Sequence, residues 1–215
     1  HFNNYIYTGG LPEVVKAFPD PKFKTILQTI YLSQKEDFQR KEPNEPYLFS
    51  EAIRAVSNHV GYPSKYSHIS SNQYQSKKIL EKLIQWNLIY NVDLQSLNTT
   101  SSISNKRYIY DLGILNLLRN VPTPKIEVLE TLNEVLRQPL GGVIENAVLN
   151  ECLNHSANPL MLSSWKKNSK QNIEVDFVMD INNEKIPIEV KACLNTHTRM
   201  AKNIVAYLKT FSQQK

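Results

Sequence analysis

Two short segments near the C-terminal end of the chain place charged side chains where they could act together. Glu174-Val175-Asp176 and Glu189-Val190-Lys191 lie in two stretches of alternating apolar and polar residues, which is typical of β-strands. Asn182-Asn183 lies between them, and asparagine tolerates the positive φ angles that a tight hairpin turn needs. If these asparagines are the central residues of the turn, Asp176 lies directly opposite Glu189. Glu174 then lies opposite Lys191.

The alternation predicts that this hairpin has one polar and one apolar face. The apolar face would carry Ile173, Val175, Phe177, Met179, Ile186, Ile188 and Val190. The polar face would carry Glu174, Asp176, Glu189 and Lys191. Two carboxylates about 5 Å apart across a strand pair repel each other, so a cation between them would relieve the repulsion. A hard divalent cation such as Mg²⁺, with Mn²⁺ as a substitute, prefers this kind of oxygen site.

A third carboxylate lies on the helix predicted before these strands. At about 100° per residue, Ile144, Val148, Leu149 and Cys152 form one apolar arc, and Glu145 falls inside it. Acidic side chains are rarely buried unless they are paired or bound to a metal, so Glu145 is expected to point towards the sheet.

Each part of this site also has a simpler interpretation. Glu174 and Lys191 could form an exposed ion pair of little energetic value. Asp176 and Glu189 could belong to the solvent face of an edge hairpin, and Glu145 could be an acid in the first turn of a helix. We favour the metal site because all three carboxylates occur together at this spacing.

These segments carry a family resemblance. Glu145, Glu174-Val175-Asp176-Phe177 and Ile188-Glu189-Val190-Lys191 resemble the motifs of the PD-(D/E)XK nuclease superfamily. Over nearly its full length, the chain is similar to the C-terminal part of bacterial and archaeal AAA+-type ATPases that carry the domain DUF4143. The further matching segments are Tyr7-Thr8-Gly9-Gly10-Leu11-Pro12-Glu13, Lys106-Arg107-Tyr108-Ile109-Tyr110-Asp111-Leu112-Gly113 and Gly142-Val143-Ile144-Glu145-Asn146.

The resemblance implies a role for each position of the site. Asp176 and Glu189 would hold Mg²⁺ with the backbone carbonyl of Val190. Lys191 would orient or deprotonate the attacking water, or stabilise charge on phosphorus, and Glu145 would support the metal or a second water. The reaction would be hydrolysis of a phosphodiester. The resemblance also implies an ATPase module elsewhere in the full-length polypeptide.

The rest of the chain divides into three predicted regions. Residues 1–46 read as a helical segment, a remnant of the ATPase lid region, in which the polar run 33–46 is a linker. Residues 47–110 show three helical patterns followed by two strands, which is the order of a winged helix-turn-helix. Residues 111–215 form a helical lead-in and an α/β domain like that of restriction endonucleases. The predicted fold class is therefore mixed α/β.

The helix predicted over 73–86 is the candidate DNA-reading element. Gln73, Lys77, Lys78 and Lys82 lie on it, and Lys106 and Arg107 lie at the base of the predicted wing. Glutamine can contact base edges, and lysine and arginine contact phosphates. The alternative is a solvated helix face in a domain used for protein contacts, because Glu81 interrupts the basic surface.

Composition narrows the possible classes of function. The formal net charge is +5, which permits nucleic-acid binding without requiring it. The six glycines do not form a phosphate-binding P-loop, so this chain is not a self-sufficient P-loop ATPase. Two cysteines, no apolar stretch of membrane-spanning length and no signal peptide predict a cytoplasmic protein without a membrane partner. Two hypotheses remain: a Mg²⁺-dependent DNA nuclease, and a non-catalytic DNA- or protein-binding module of the ATPase.

Overall fold

The computed structural model describes residues 2–43, 47–96, 105–119, 123, 128, 131–155, 162–168, 171–193 and 197–212. Within these residues, eight α-helices and a five-stranded sheet form a mixed α/β structure, as predicted. Among them, no helix is both long and apolar enough to cross a membrane.

The elements follow the predicted order closely. The helices are α1 Phe2–Thr8, α2 Pro12–Ala17, α3 Phe23–Lys41, α4 Leu48–Asn58, α5 Gln73–Gln85, α6 Leu112–Leu118, α7 Glu134–His155 and α8 Lys202–Ser212. The strands are β1 Ile89–Ser96, β2 Lys106–Ile109, β3 Leu162–Asn168, β4 Gln171–Ile181 and β5 Glu184–Ile188. Short 3₁₀ turns occupy Tyr66–His68 and Thr198–Ala201.

The linker predicted over the polar run 33–46 is wrong for its first nine residues. Helix α3 continues through them to Lys41. Phe38 is fully buried there and packs against Phe49 and Trp86, with ring centroids 5.0 and 5.2 Å apart. This one buried apolar side chain holds the polar stretch against the core, so the helix does not end where the hydrophobic pattern weakens.

The strands form one mixed sheet in the order β2-β1-β3-β4-β5. The first half of β1 pairs antiparallel with β2, and its second half pairs in parallel with β3, with Asp93 opposite Ser163. The remaining neighbours are antiparallel. The sheet therefore crosses the domain boundary predicted at residue 110, because β1 joins the predicted wing to the C-terminal strands.

The hairpin register agrees with the sequence prediction. Asn182 and Asn183 have φ angles of 53° and 66°, and the strand pairs run from Ile181–Glu184 to Phe177–Ile188. Strand β5 ends at Ile188, four residues earlier than predicted. The regular ladder therefore stops one pair before the expected pairing of Asp176 with Glu189.

A bulge in β4 overturns the predicted assignment of side chains to faces. Ser163 pairs with Val178, whereas Trp165 pairs with Val175, so one more residue lies on β4 than on β3 between these pairs. Val175 and Val178 consequently pack with Trp165 in a small apolar cluster under α8. Phe177 lies in the main core with its ring 5.6 Å from that of Tyr108. The bulge thus takes Phe177 off the face of Val175 and places it beside Asp176.

Two of the matching segments have a shared structural role at the N-terminal end of α6. Asp111 caps α6 by accepting a hydrogen bond from the Ile114 amide, and it accepts another from the Gly10 amide at 2.8 Å. Gly9 has a φ of 75°, and a Cβ there would lie 2.3 Å from the Asp111 carboxylate. The turn around Gly9 and the Asp111 segment therefore hold α1 against α6.

The helices and strands predicted for residues 47–110 are present. Asn72 caps α5 by accepting a hydrogen bond from the Gln75 amide, as its position before the helix suggested. Residues 97–104, between β1 and β2, fall outside the described residues. Residues 131–133 form a turn, and α7 begins directly after them at Glu134. The winged helix-turn-helix and the restriction-endonuclease-like fold stay predictions.

Candidate functional site

Helix α7 is held against the edge strand β2 by one asparagine. The Asn146 side chain accepts a hydrogen bond from the Ile109 amide at 2.8 Å and donates one to the Ile109 carbonyl at 2.7 Å. These two bonds imitate the pairing of another strand. Gly142 allows a close approach on the same helix, since a Cβ there would lie 2.4 Å from the Val60 carbonyl oxygen. These contacts set the position of Glu145, which lies between them in the sequence.

The centre of the site is the ammonium group of Lys106. Its Nζ lies 2.7 Å from a carboxylate oxygen of Glu174, 3.0 Å from one of Glu145 and 3.5 Å from one of Asp176. Lys106 is only 1% exposed, and all four residues of β2 are buried. Burying a charged lysine is costly unless acidic side chains pair with it, and Lys106 has three such partners.

The pKa values follow from burial and from this clustering. Burial disfavours the charged form of Lys106, but the nearby Glu145, Glu174 and Asp176 carboxylates outweigh it and raise the pKa of the ammonium group. Burial raises the pKa of Glu145 to about 7, an effect that Lys106 opposes only in part. Lys106 is therefore the permanent cation of the cluster, and Glu145 is its titratable carboxylate near neutral pH.

Tyr108 is a member of this cluster that the sequence analysis missed. Its hydroxyl donates a hydrogen bond to the same Glu145 oxygen that Lys106 contacts, and burial raises the pKa of this hydroxyl well above its usual value. Lys106 and Tyr108 are two residues apart on one strand, so they lie on the same face. The two-residue spacing of Lys106 and Tyr108, together with Glu145 on the apolar arc of the following helix, could have indicated that Tyr108 belongs to the cluster.

Asp176 and Glu189 are neighbours, but they belong to different hydrogen-bonded groups. Asp176 accepts a hydrogen bond from the Val190 amide at 2.8 Å, which ties β4 to the segment after β5. Glu189 accepts one from the Asn203 side chain of α8 at 2.9 Å and another from Lys191. Burial raises the pKa of Glu189, and the nearby Asp176 charge adds to this shift.

The carboxylates do not fit a metal ion in this arrangement. Glu145, Glu174 and Asp176 already surround an ammonium group, and Val190 turns its amide towards Asp176. In the described part of the chain, no group of three or more histidine, cysteine, aspartate and glutamate side chains is arranged to hold a metal ion. The Lys106 ammonium group lies among Glu145, Glu174 and Asp176, and of the two predicted metal-binding carboxylates, Asp176 and Glu189, it contacts Asp176.

The predicted nucleic-acid contacts are spread over different environments. Lys106 and Arg107 are buried, and Arg107 donates to the backbone and hydroxyl oxygens of Ser64. Lys82 pairs with Glu42. Lys77 is exposed and lies 3.8 Å from Glu81. Gln73 and Lys78 also lie on α5, where Gln73 is exposed and Lys78 is partly buried. The structure does not bring these six residues together on one surface.

Two family profiles match the chain. The one described as "Domain of unknown function (DUF8612)" matches residues 1–125, more than half of the chain. The chain belongs to this DUF8612 family. The other, "Domain of unknown function (DUF4143)", matches residues 140–214, which confirms the predicted DUF4143 region for that part. Neither a curated protein nor a solved structure matches the chain.

The two matches divide the residues of the site. Lys106 and Tyr108 lie within the DUF8612 match, whereas Glu145, Glu174, Asp176 and Glu189 lie within the DUF4143 match. The ion pairs of Lys106 therefore join the regions covered by the two families. The nuclease-like assignment and the association with an ATPase stay predictions.

Proposed function

We propose that this chain is a non-catalytic binding or regulatory module of an AAA+-type ATPase, in which Lys106 partly compensates the charge of a nuclease-like carboxylate cluster. The observation that carries the proposal is the position of the Lys106 ammonium group within 3.5 Å of three carboxylates. A lysine built into this position supplies the compensating charge that a metal ion would otherwise supply. The ATPase context is supported by the motif resemblance of the chain.

The basic residues favour a protein partner over DNA for this module. Of the five predicted phosphate-contacting cations, Lys82, Lys106 and Arg107 have intramolecular partners. Lys77 lies 3.8 Å from Glu81, and Lys78 also has a partner within the chain. We therefore expect that the binding of duplex DNA by these residues depends only weakly on salt.

The second candidate is the Mg²⁺-dependent phosphodiesterase. It is favoured by the hydrogen bond from the Val190 amide to Asp176, which keeps that carboxylate beside Glu189. Bound Mg²⁺ would supply Lewis-acid stabilisation of the phosphate and an activated water. Asp176 and Glu189 would hold it, Glu145 would support it, and Lys191 would position the water. Lys106 would have to leave the cluster, which exposes three carboxylates to one another.

Calorimetric titration with Mg²⁺ and Mn²⁺ distinguishes the two candidates. The non-catalytic proposal predicts no saturable binding by the wild-type chain, and the appearance of binding when Lys106→Met removes the internal cation. Saturable binding by the wild type that disappears in Asp176→Ala would establish the phosphodiesterase instead. Cleavage of single- or double-stranded DNA would then be measured on the same two proteins, with the Glu189→Gln variant as a further check.

A further inference from the structure

A cavity of about 420 Å³ lies between α7, the Glu189-Val190-Lys191 segment and the N-terminal part of α8. Ile144 and Val148 of α7 form one wall, and Met200 and Ile204 form another. This volume is within the range of cavities that bind small molecules, and the lining is mainly apolar. The cavity is separate from the ion pairs of Lys106, which is not among its lining residues.

One polar group in this lining is incompletely satisfied. The Glu189 side chain is only 5% exposed, and its Oε1 accepts hydrogen bonds from Lys191 and Asn203. Its Oε2 is buried and has no hydrogen-bond donor among the described residues. A buried carboxylate oxygen without a donor is costly, so such an atom in a native structure needs an explanation. The terminal torsion of a glutamate is soft, so either oxygen can turn towards a bound molecule.

We propose that this cavity binds a compact apolar molecule that carries a primary amine at one end. The apolar body would pack against Ile144, Val148 and Ile204, and the amine would donate a hydrogen bond to the free carboxylate oxygen of Glu189. A hydrogen bond between two charged groups is stronger than one between neutral groups, which favours an ammonium donor over a hydroxyl. Negatively charged ligands are disfavoured because they would meet the free oxygen of this carboxylate, whereas the Lys191 ammonium group in the lining is paired with the other oxygen.

The experiment uses 2-phenylethylamine as the probe, with 2-phenylethanol and phenylacetate as matched compounds of the same apolar body. Binding to the whole chain is measured by calorimetry and by the NMR shift of the Met200 methyl group, with a chelator present so that no metal ion contributes. The amine is expected to bind at least tenfold more tightly than the alcohol, and phenylacetate is not expected to bind. Absence of amine binding, or equal binding of amine and phenylacetate, would overturn the proposal.

Two variants test where the probe binds. Glu189→Gln removes the charge but keeps the shape, and it should weaken amine binding at least tenfold while leaving the weaker binding of the alcohol unchanged. Ile204→Trp fills the cavity and should abolish binding. Leu208→Trp is its control, because Leu208 lies one turn further along α8 and is exposed. Amine binding that persists in Ile204→Trp, or that is lost equally in Leu208→Trp, contradicts the assignment to this cavity.

Discussion

Replacement of Lys106 by methionine should destabilise the chain strongly, because it leaves three carboxylates near one another without their cation. Methionine keeps much of the apolar stem, so the change acts mainly through the charge. Removing one partner of a buried ion pair typically costs about 3–5 kcal/mol. That is a large share of the roughly 5–15 kcal/mol by which native domains are stable.

Urea unfolding followed by circular dichroism measures this effect. With a slope of about 1–3 kcal/mol per molar urea, a loss of this size should lower the unfolding midpoint by roughly 1–5 M at pH 7. Lys166→Met is the matched control. Lys166 lies 3.7 Å from Glu174 at a more exposed position, so its replacement should cost no more than about 1 kcal/mol.

The pH dependence tests the electrostatic cause. Lys106 lowers the pKa of Glu145, so its removal should raise that pKa further above about 7. The folded variant then binds a proton that the unfolded chain releases, and its stability should increase as the pH falls from 7 to 5. The loss relative to the wild type should therefore shrink over this range. A loss below 1 kcal/mol, or one that does not change with pH, would show that Lys106 does not compensate the charge of the cluster.

Three further variants examine Glu145, the α7–β2 contact and the turn around Gly9. The pKa of Glu145 is about 7 in the folded chain and about 4.5 in the unfolded chain. Wild-type stability should therefore fall as the pH rises from 5 to 8, by on the order of 3 kcal/mol, and Glu145→Gln should flatten this dependence. An unchanged slope in urea titrations at several pH values would refute this. Asn146→Ala leaves two buried backbone groups of β2 unpaired and should lower the free energy of unfolding by about 2–4 kcal/mol. The control Asn91→Ala removes an exposed hydrogen bond and should lower it by less than about 0.5 kcal/mol. Equal losses would contradict the strand-like role of Asn146. Gly9→Ala should lower the melting temperature by several degrees because Gly9 has a positive φ and lies close to the Asp111 carboxylate. Gly10→Ala should change it less, because a Cβ at Gly10 meets only an ordinary contact at 3.5 Å. Similar melting temperatures of the two variants would argue against this packing.

Local patterns were sufficient for most elements of this fold. The alternation around Asn182-Asn183 predicted the register of the β4–β5 hairpin, because a two-residue turn leaves one pairing for all residues that follow. Asn72 and Pro12 lie at the beginnings of α5 and α2, where a capping side chain and a residue without an N–H are favoured for local reasons. The sequence also indicated that Glu145 lies on the apolar arc of α7, which its burial confirms.

The partners of these residues depended on contacts between distant parts of the chain. Lys106 was predicted to contact phosphates because the sequence does not reveal which element packs against its strand. Only the docking of α7 on β2 brings it to Glu145, 39 residues away, and only the sheet brings it to Asp176, 70 residues away.

The bulge in β4 was equally hidden from the sequence. It depends on how β4 pairs with β3, and it decides that Phe177 lies beside Asp176 and away from Val175. Strict alternation predicts faces correctly only while each strand residue has one partner. The sequence by itself therefore determined which carboxylates this protein has and which elements carry them. The tertiary structure decided that a lysine of the same chain partly compensates the charge of three of them, because burial makes an internal cation necessary there.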